Sequence, residues 1–225
     1  MADDTTNQLK PYDFSIVVLG AMNPRLHHPI WYKQQRLIDD AELNQSLTKE
    51  MICLAEASQF TAAGMYISCN LDRWDIRTTD LALRPRILEI ARTIFDTSLP
   101  ETPSGLFAFN NDFHRMTELT DVKRILGELV AGGCFGLSPE VLSGAMFFTV
   151  AVPDGGEMRI RIDPSPQGPD FVSVKVNANH PVKVPPGRFN LGPLLDKFYE
   201  SDYQMAARYA EDIVKSLNAS RKGCL

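Results

Sequence analysis

Asp112 and His114 stand two apart in the run Asn110-Asn111-Asp112-Phe113-His114. Residues two apart on an extended strand share a face, so this spacing sets a carboxylate beside an imidazole. A general base with an orienting acid needs that pairing, and a thiol such as Cys69 or Cys134 would be the nucleophile it activates. The plainer account is a packed histidine, or the polar end of a strand. It is preferred here, because nothing in the sequence puts either cysteine within reach. Asn179-His180 is read the same way, as a turn before Pro181.

A second group is cationic. Arg159 and Arg161 alternate with Met158, Ile160 and Ile162, and Lys175 falls on the facing strand. Together they would hold a phosphate-bearing ligand or an acidic partner. Pairing with nearby Asp or Glu is the simpler expectation. His27-His28 is the third candidate, and neighbouring side chains on an extended segment point apart, which makes a shared metal ion a poor reading. One ring packed and one solvated is expected.

Other chemistries lack their signatures. Gly132-Gly133-Cys134-Phe135-Gly136 follows a predicted helix, whereas a phosphate-cradling loop precedes one. There is no GxSxG and no HExxH. Cys53, Cys69, Cys134 and Cys224 form no CxxC pair, which argues against structural zinc and for reduced thiols. Cys224 is one residue from the end, outside the position of a prenylation box. No metal or cofactor is expected.

The chain that must position these residues has 225 of them, 44% hydrophobic and 23% charged, as in ordinary globular proteins. No apolar run is long enough for a membrane helix, and the polar start lacks the apolar segment of a signal peptide, so a cytoplasmic location is expected. A net charge of -5 argues against broad nucleic-acid binding.

Residues 146–177 carry the strongest pattern, three antiparallel strands. A β-branched and aromatic run from Met146 stops at Pro153-Asp154-Gly155-Gly156, Arg159 and Arg161 alternate with apolar residues, and Val172, Val174 and Val176 alternate after a proline-rich loop. One face of this sheet is dry and must be covered. The cover is the last helix, opened by Pro193 and keeping a 3.6-residue period through Leu217. Upstream, 14–19 is a strand, and 22–32 is an irregular segment whose rings, Trp31 and Tyr32, must bury against something. Residues 39–47 suit a short exposed helix or turn. Residues 51–60 and 65–71 form a hairpin whose second strand continues to Thr79. Residues 85–95 are an amphipathic helix, 104–114 a strand, and Thr120 caps a helix ended by Gly132-Gly133. The expected fold is α+β: an antiparallel sheet in two pseudo-halves packed against two or three helices. Residues 1–12 are expected to be disordered, 13–219 a single domain, and 220–225 flexible.

The segment from Val17 to Trp31, with Asn23-Pro24 and Pro29-x-Trp31, resembles the start of a family of uncharacterised bacterial proteins, in which a strand ending in Gly is followed by Asn-Pro, His-Pro and an aromatic. Arg77-Thr78-Thr79, Pro103, Asn111 to His114, Met158 to Pro164 and Asn179-His180 extend the resemblance. It implies a fold and a bacterial cytosolic origin, and no activity. A fainter similarity is to the SecB export chaperone. The absence of a catalytic constellation, with aromatics at Trp31-Tyr32 and Tyr199-Tyr203, points to a non-enzymatic accessory protein that binds a protein partner or its own copy. A toxin-antitoxin or antiphage operon is the setting such family types suggest. The alternative is a ligand-binding protein or enzyme whose pocket lies between sheet and C-terminal helix and uses Asp112 and His114.

Overall fold

The computed structural model describes residues 10–134, 144–152, 155–183 and 191–220. In chain order they form β1 (Lys10–Gly20), α1 (Pro29–Gln34), α2 (Asp40–Thr48), β2 (Ile52–Cys53), β3 (Ala57–Ala62), β4 (Met65–Asn70) and β5 (Arg73–Thr78). Then come α3 (Arg84–Arg92), β6 (Ser104–Met116), α4 (Val122–Cys134), β7 (Met146–Ala151), β8 (Glu157–Pro164), β9 (Phe171–Pro181) and α5 (Gly192–Ser220). The strands make one antiparallel sheet in the order β2-β3-β4-β5-β1-β6-β9-β8-β7.

That order is a duplication in space. β1 and β6 lie side by side at the centre, and each opens a half whose meander returns to place its last strand, β5 or β9, against the first. Each half ends in a helix, α3 or α5, and the two helices pack together. This is the two-part organisation expected of the sequence, and the α+β class holds. Alternation decides which face is dry. Phe14, Ile16 and Val18 of β1 line up with Trp74, Ile76, Phe107 and Phe109 on one face, and Val172, Val174 and Val176 continue it through β9. Among the described residues, all five helices pack on this face. At about 1.5 Å per residue, the 29 residues of α5 reach some 44 Å, and Ala206, Ala210, Val214 and Leu217 cover the valines as expected. Arg84 fastens α3 to α5, its guanidinium lying 3.5 Å from the ring centre of Tyr203 and 4.9 Å from those of Phe14 and Tyr199.

Several local expectations change. Lys10, Pro11 and Tyr12 are strand, because they extend β1 along β6, while residues 1–9 lie outside the described residues. The segment before Leu37 contains a short helix, α1, with Pro29 in its first turn and the His28 ring accepting the Trp31 amide at 3.3 Å. Ala63 and Gly64, at φ +48° and +77°, turn the predicted hairpin. The chain then reverses again after Leu71-Asp72, so 73–78 is a separate strand. Asp121, whose Oδ1 accepts the Arg124 amide at 3.0 Å, takes the capping role expected of Thr120. α4 runs through Gly132-Gly133 to Cys134, and Phe135 and Gly136 lie outside the described residues. So do Pro153 and Asp154, whereas Gly155 has the positive φ, +79°, expected of that turn. Ser220 is still helical, and 221–225 lie outside the described residues.

The two histidines of 27–28 separate as expected. His27 is 1% exposed and ends a buried chain in which Trp74 Nε1 donates to Tyr32 Oη at 2.9 Å and that hydroxyl is hydrogen-bonded to His27 Nδ1 at 3.2 Å. Burial lowers the imidazole from 6.5 to about 4, with His28 adding repulsion. As pH falls through 6.5 the unfolded chain therefore takes a proton that the folded protein refuses. Stability is expected to fall between pH 6.5 and about 4, with a slope approaching ~1.4 kcal/mol per pH unit from this group. Urea unfolding across that window checks it, and His27→Gln should flatten the slope. A second outcome follows at the start of α5, where the Gly192 amide donates to Asp96 Oδ1 at 2.7 Å and a Cβ on Gly192 would sit 1.6 Å from Asp96 Oδ2. Gly192→Ala is expected to lose about 1–3 kcal/mol in the same assay.

Candidate functional site

Because the helices pack on one face, the other carries many of the strands' polar residues. Pairing register places Asp13 (β1), Asp112 (β6), Lys175 (β9), Arg161 (β8) and Phe147 (β7) in one row across it. The next row is Arg77, Ser15, Asn110, Asn177, Arg159 and Thr149. Asn110 Nδ2 donates to Ser15 Oγ at 3.0 Å, Asn177 donates to Asn110, and Asn179 donates to Asn177. This amide ladder fixes the floor of a hollow of about 490 Å³ lined by Asp13, Asp112, Lys175, Arg159, Arg161 and Phe147, among others.

The three expected cations are thus brought together. Each leans on a carboxylate: Arg159 Nη2 is 2.6 Å from Glu157, Arg161 Nε is 2.6 Å from Asp163, and Lys175 Nζ is 3.8 Å from the same Asp163 oxygen. The Arg161 guanidinium also lies 5.1 Å from the Phe147 ring centre. At the other end of the row, burial raises the Asp13 carboxyl above its ordinary value, Arg77 opposing and the facing Asp112 adding to the rise.

Asp112 and His114 share this face, as their spacing requires. His114 is 5% exposed, with Nε2 3.3 Å from Asp112 Oδ2 and Nδ1 2.6 Å from Ser165 Oγ. The Ser173 hydroxyl donates to Asp112 Oδ1 at 2.7 Å, and the Gln167 amide donates to Ser165 Oγ at 3.0 Å. The Tyr12 ring lies 4.6 Å from the imidazole. A serine therefore stands where a cysteine was considered. Cys69 points into the covered face from β4, and burial, with Asp75 adding, pushes its thiol up to about 12. The Cys134 side chain lies outside the described residues. Nor do Asp112 and His114 lie between the sheet and α5, since alternation turns them to the opposite face. Ser165 is 51 residues from His114, and its only advance signal is Pro164-Ser165-Pro166, a rigid turn at a strand end.

Two other expectations are corrected. Tyr32 is 0% and Trp31 9% exposed, packed with His27 and Phe60, so they present no binding surface. The irregular segment buries its rings in the protein's own core. His180 is part of β9 and not a turn. Its Nε2 is 2.7 Å from Asp202 Oδ2 of α5, both residues are 3% exposed, and the imidazole is stacked between Phe107 and Phe198.

β7 closes the sheet at one edge. Its Phe147 is 67% and Phe148 49% exposed, on a strand Met-Phe-Phe-Thr-Val-Ala without a charge. On the helix side, Leu129, Met146, Phe148, Tyr209 and Ile213 line a groove of about 320 Å³ between β7, α4 and α5. Among the described residues, no three of His, Cys, Asp and Glu converge as metal ligands do. None of the described helices is long and apolar enough to cross a membrane. Compared with models of protein families and with curated proteins, the sequence matches none.

Half-exposed ion pairs contribute little to stability. Arg159→Gln and Arg161→Gln are each expected to shift unfolding free energy by less than ~1 kcal/mol, measured by urea denaturation, which would leave both guanidinium groups free to exchange partners.

Proposed function

We propose that this protein is a binding module that holds an extended segment of a partner polypeptide as an added strand on β7. The observation that carries this reading is the edge itself: two adjacent, exposed phenylalanines on an uncharged strand at the end of the sheet. Edge strands in proteins are ordinarily blunted by charge, proline or cover, because their unpaired amides and carbonyls template another chain. Here the flanks favour a partner of definite pattern. A strand added to β7 alternates its side chains between the two faces. One set meets the apolar groove beside Phe148, and the other meets the face of Arg159 and Arg161, so alternating apolar and acidic residues suit both. The bacterial resemblance and the faint similarity to an export chaperone accord with an accessory role. A toxin-antitoxin or antiphage operon is the setting we propose for it.

The test uses a fluorescently labelled peptide of alternating valine and glutamate, titrated with the whole protein and followed by anisotropy. Saturable binding is expected. Phe148→Asp and Arg161→Glu should each weaken it about 10-fold or more, a loss of about 1.4 kcal/mol. Binding equal to that of a valine-lysine peptide, or unaffected by Phe148→Asp, overturns the reading. Native mass spectrometry separates a second polypeptide from self-association. A homodimer that Phe148→Asp dissolves would make the partner another copy.

A further inference from the structure

The hydroxyl of Ser165 is paired with an imidazole on the uncovered face of the sheet. Its oxygen already accepts the Gln167 amide, and the remaining partner within reach is His114 Nδ1 at 2.6 Å. With the hydroxyl proton directed at that nitrogen, the imidazole is its acceptor. In the tautomer where Nδ1 accepts, the neutral ring carries its proton on Nε2, which lies 3.3 Å from Asp112 Oδ2 without making a hydrogen bond to it. The carboxylate is held in turn by Ser173 at 2.7 Å. Hydroxyl, imidazole and carboxylate thus stand in the order of an activated serine, with the two ring nitrogens exchanged relative to the arrangement of serine proteases.

We propose that Ser165 is a nucleophilic serine, activated by His114 and oriented by Asp112, that takes acyl groups from carboxylic esters. Ser165 is 8% exposed and lies between two prolines. In the reaction the Ser165 oxygen bonds to the ester carbonyl carbon while its proton passes to His114 Nδ1 and the carbonyl electron pair moves onto oxygen. Collapse of that adduct breaks the bond to the alkoxy group, which leaves as the alcohol with the proton from His114. Ser165 remains as an ester. Water then repeats the sequence, releasing the carboxylic acid and restoring the hydroxyl. No oxidant, reductant or further reactant enters. Throughout, the Asp112 carboxylate faces the imidazolium that forms, which favours proton uptake from the serine. The inference is independent of strand addition at β7, since Phe147 and Phe148 take no part in it.

The whole protein is incubated with p-nitrophenyl acetate, nitrophenol release is followed, and the modified residue is located by peptide mass mapping. Acetyl on Ser165 is expected, with its formation depending on His114. His114→Gln is expected to slow the reaction about 100-fold, with the unfolding midpoint showing that the fold persists. Ser165→Ala should abolish the modification. Because it also removes a turn hydrogen bond, Ser165→Cys is run beside it, and an acetylated thiol whose formation needs His114 supports the assignment. Acetyl found only on lysines or the amino terminus, or acetylation of Ser165 at the wild-type rate in His114→Gln, overturns it.

Discussion

Antiparallel pairing of β1 with β6 joins the two halves of this protein, and the rest of the architecture follows from it. The pairing runs through the middle of the sheet, from Lys10 opposite His114 to Gly20 opposite Ser104. At Gly20 a side chain would meet the Pro103 carbonyl oxygen at 2.0 Å, so the join closes only because that position has no Cβ. With the centre fixed, each meander can only grow outward, and both closing helices land on one face. There α3 meets α5, and Arg84 finds Phe14, Tyr199 and Tyr203. The same join puts Asp13 opposite Asp112, and so brings residues of both halves to one hollow.

Covering one face leaves the other to polar chemistry. A sheet two helices deep on both sides would have buried Arg159, Arg161 and Lys175 at heavy desolvation cost. Here they remain in water on an open face, paired but replaceable, beside an amide ladder that keeps the floor in register. Uncharged edges are the second consequence. β2 is two residues long and offers little to pair with, whereas β7 offers six residues and two exposed rings. The asymmetry between these ends, in an otherwise duplicated sheet, is the main reason for placing recognition at β7.

The buried polar groups divide by what they touch. Trp74, Tyr32 and His27 form a chain of donors and acceptors sealed in the core, where each satisfies the next. His180 and Asp202 bind a strand to the long helix between two phenylalanines. Neither set touches the hollow. Asp112, His114 and Ser165 differ because they lie on the uncovered face, with Asp112 lining the hollow and the ring of Tyr12, itself 47% exposed, against the imidazole.

By itself the sequence determined what local alternation and capping can determine. The spacing of Asp112 and His114, the dry valine face of 172–176, the helix that covers it and the two-part layout were all legible, because periods of 2 and 3.6 residues act within a few neighbours. Strand reversal at Leu71-Asp72 was not, since a polar pair inside an apolar-polar alternation reads equally as more strand. Nor was the fate of Trp31 and Tyr32, whose burial depends on Phe60 and Trp74 arriving from other strands. Only the tertiary structure decided that Ser165, and not a cysteine, stands against His114, and that Asp202 stands against His180. Those pairs are 51 and 22 residues apart, and closure of such loops is set by the register of the whole sheet and the seating of α5, which no local pattern encodes.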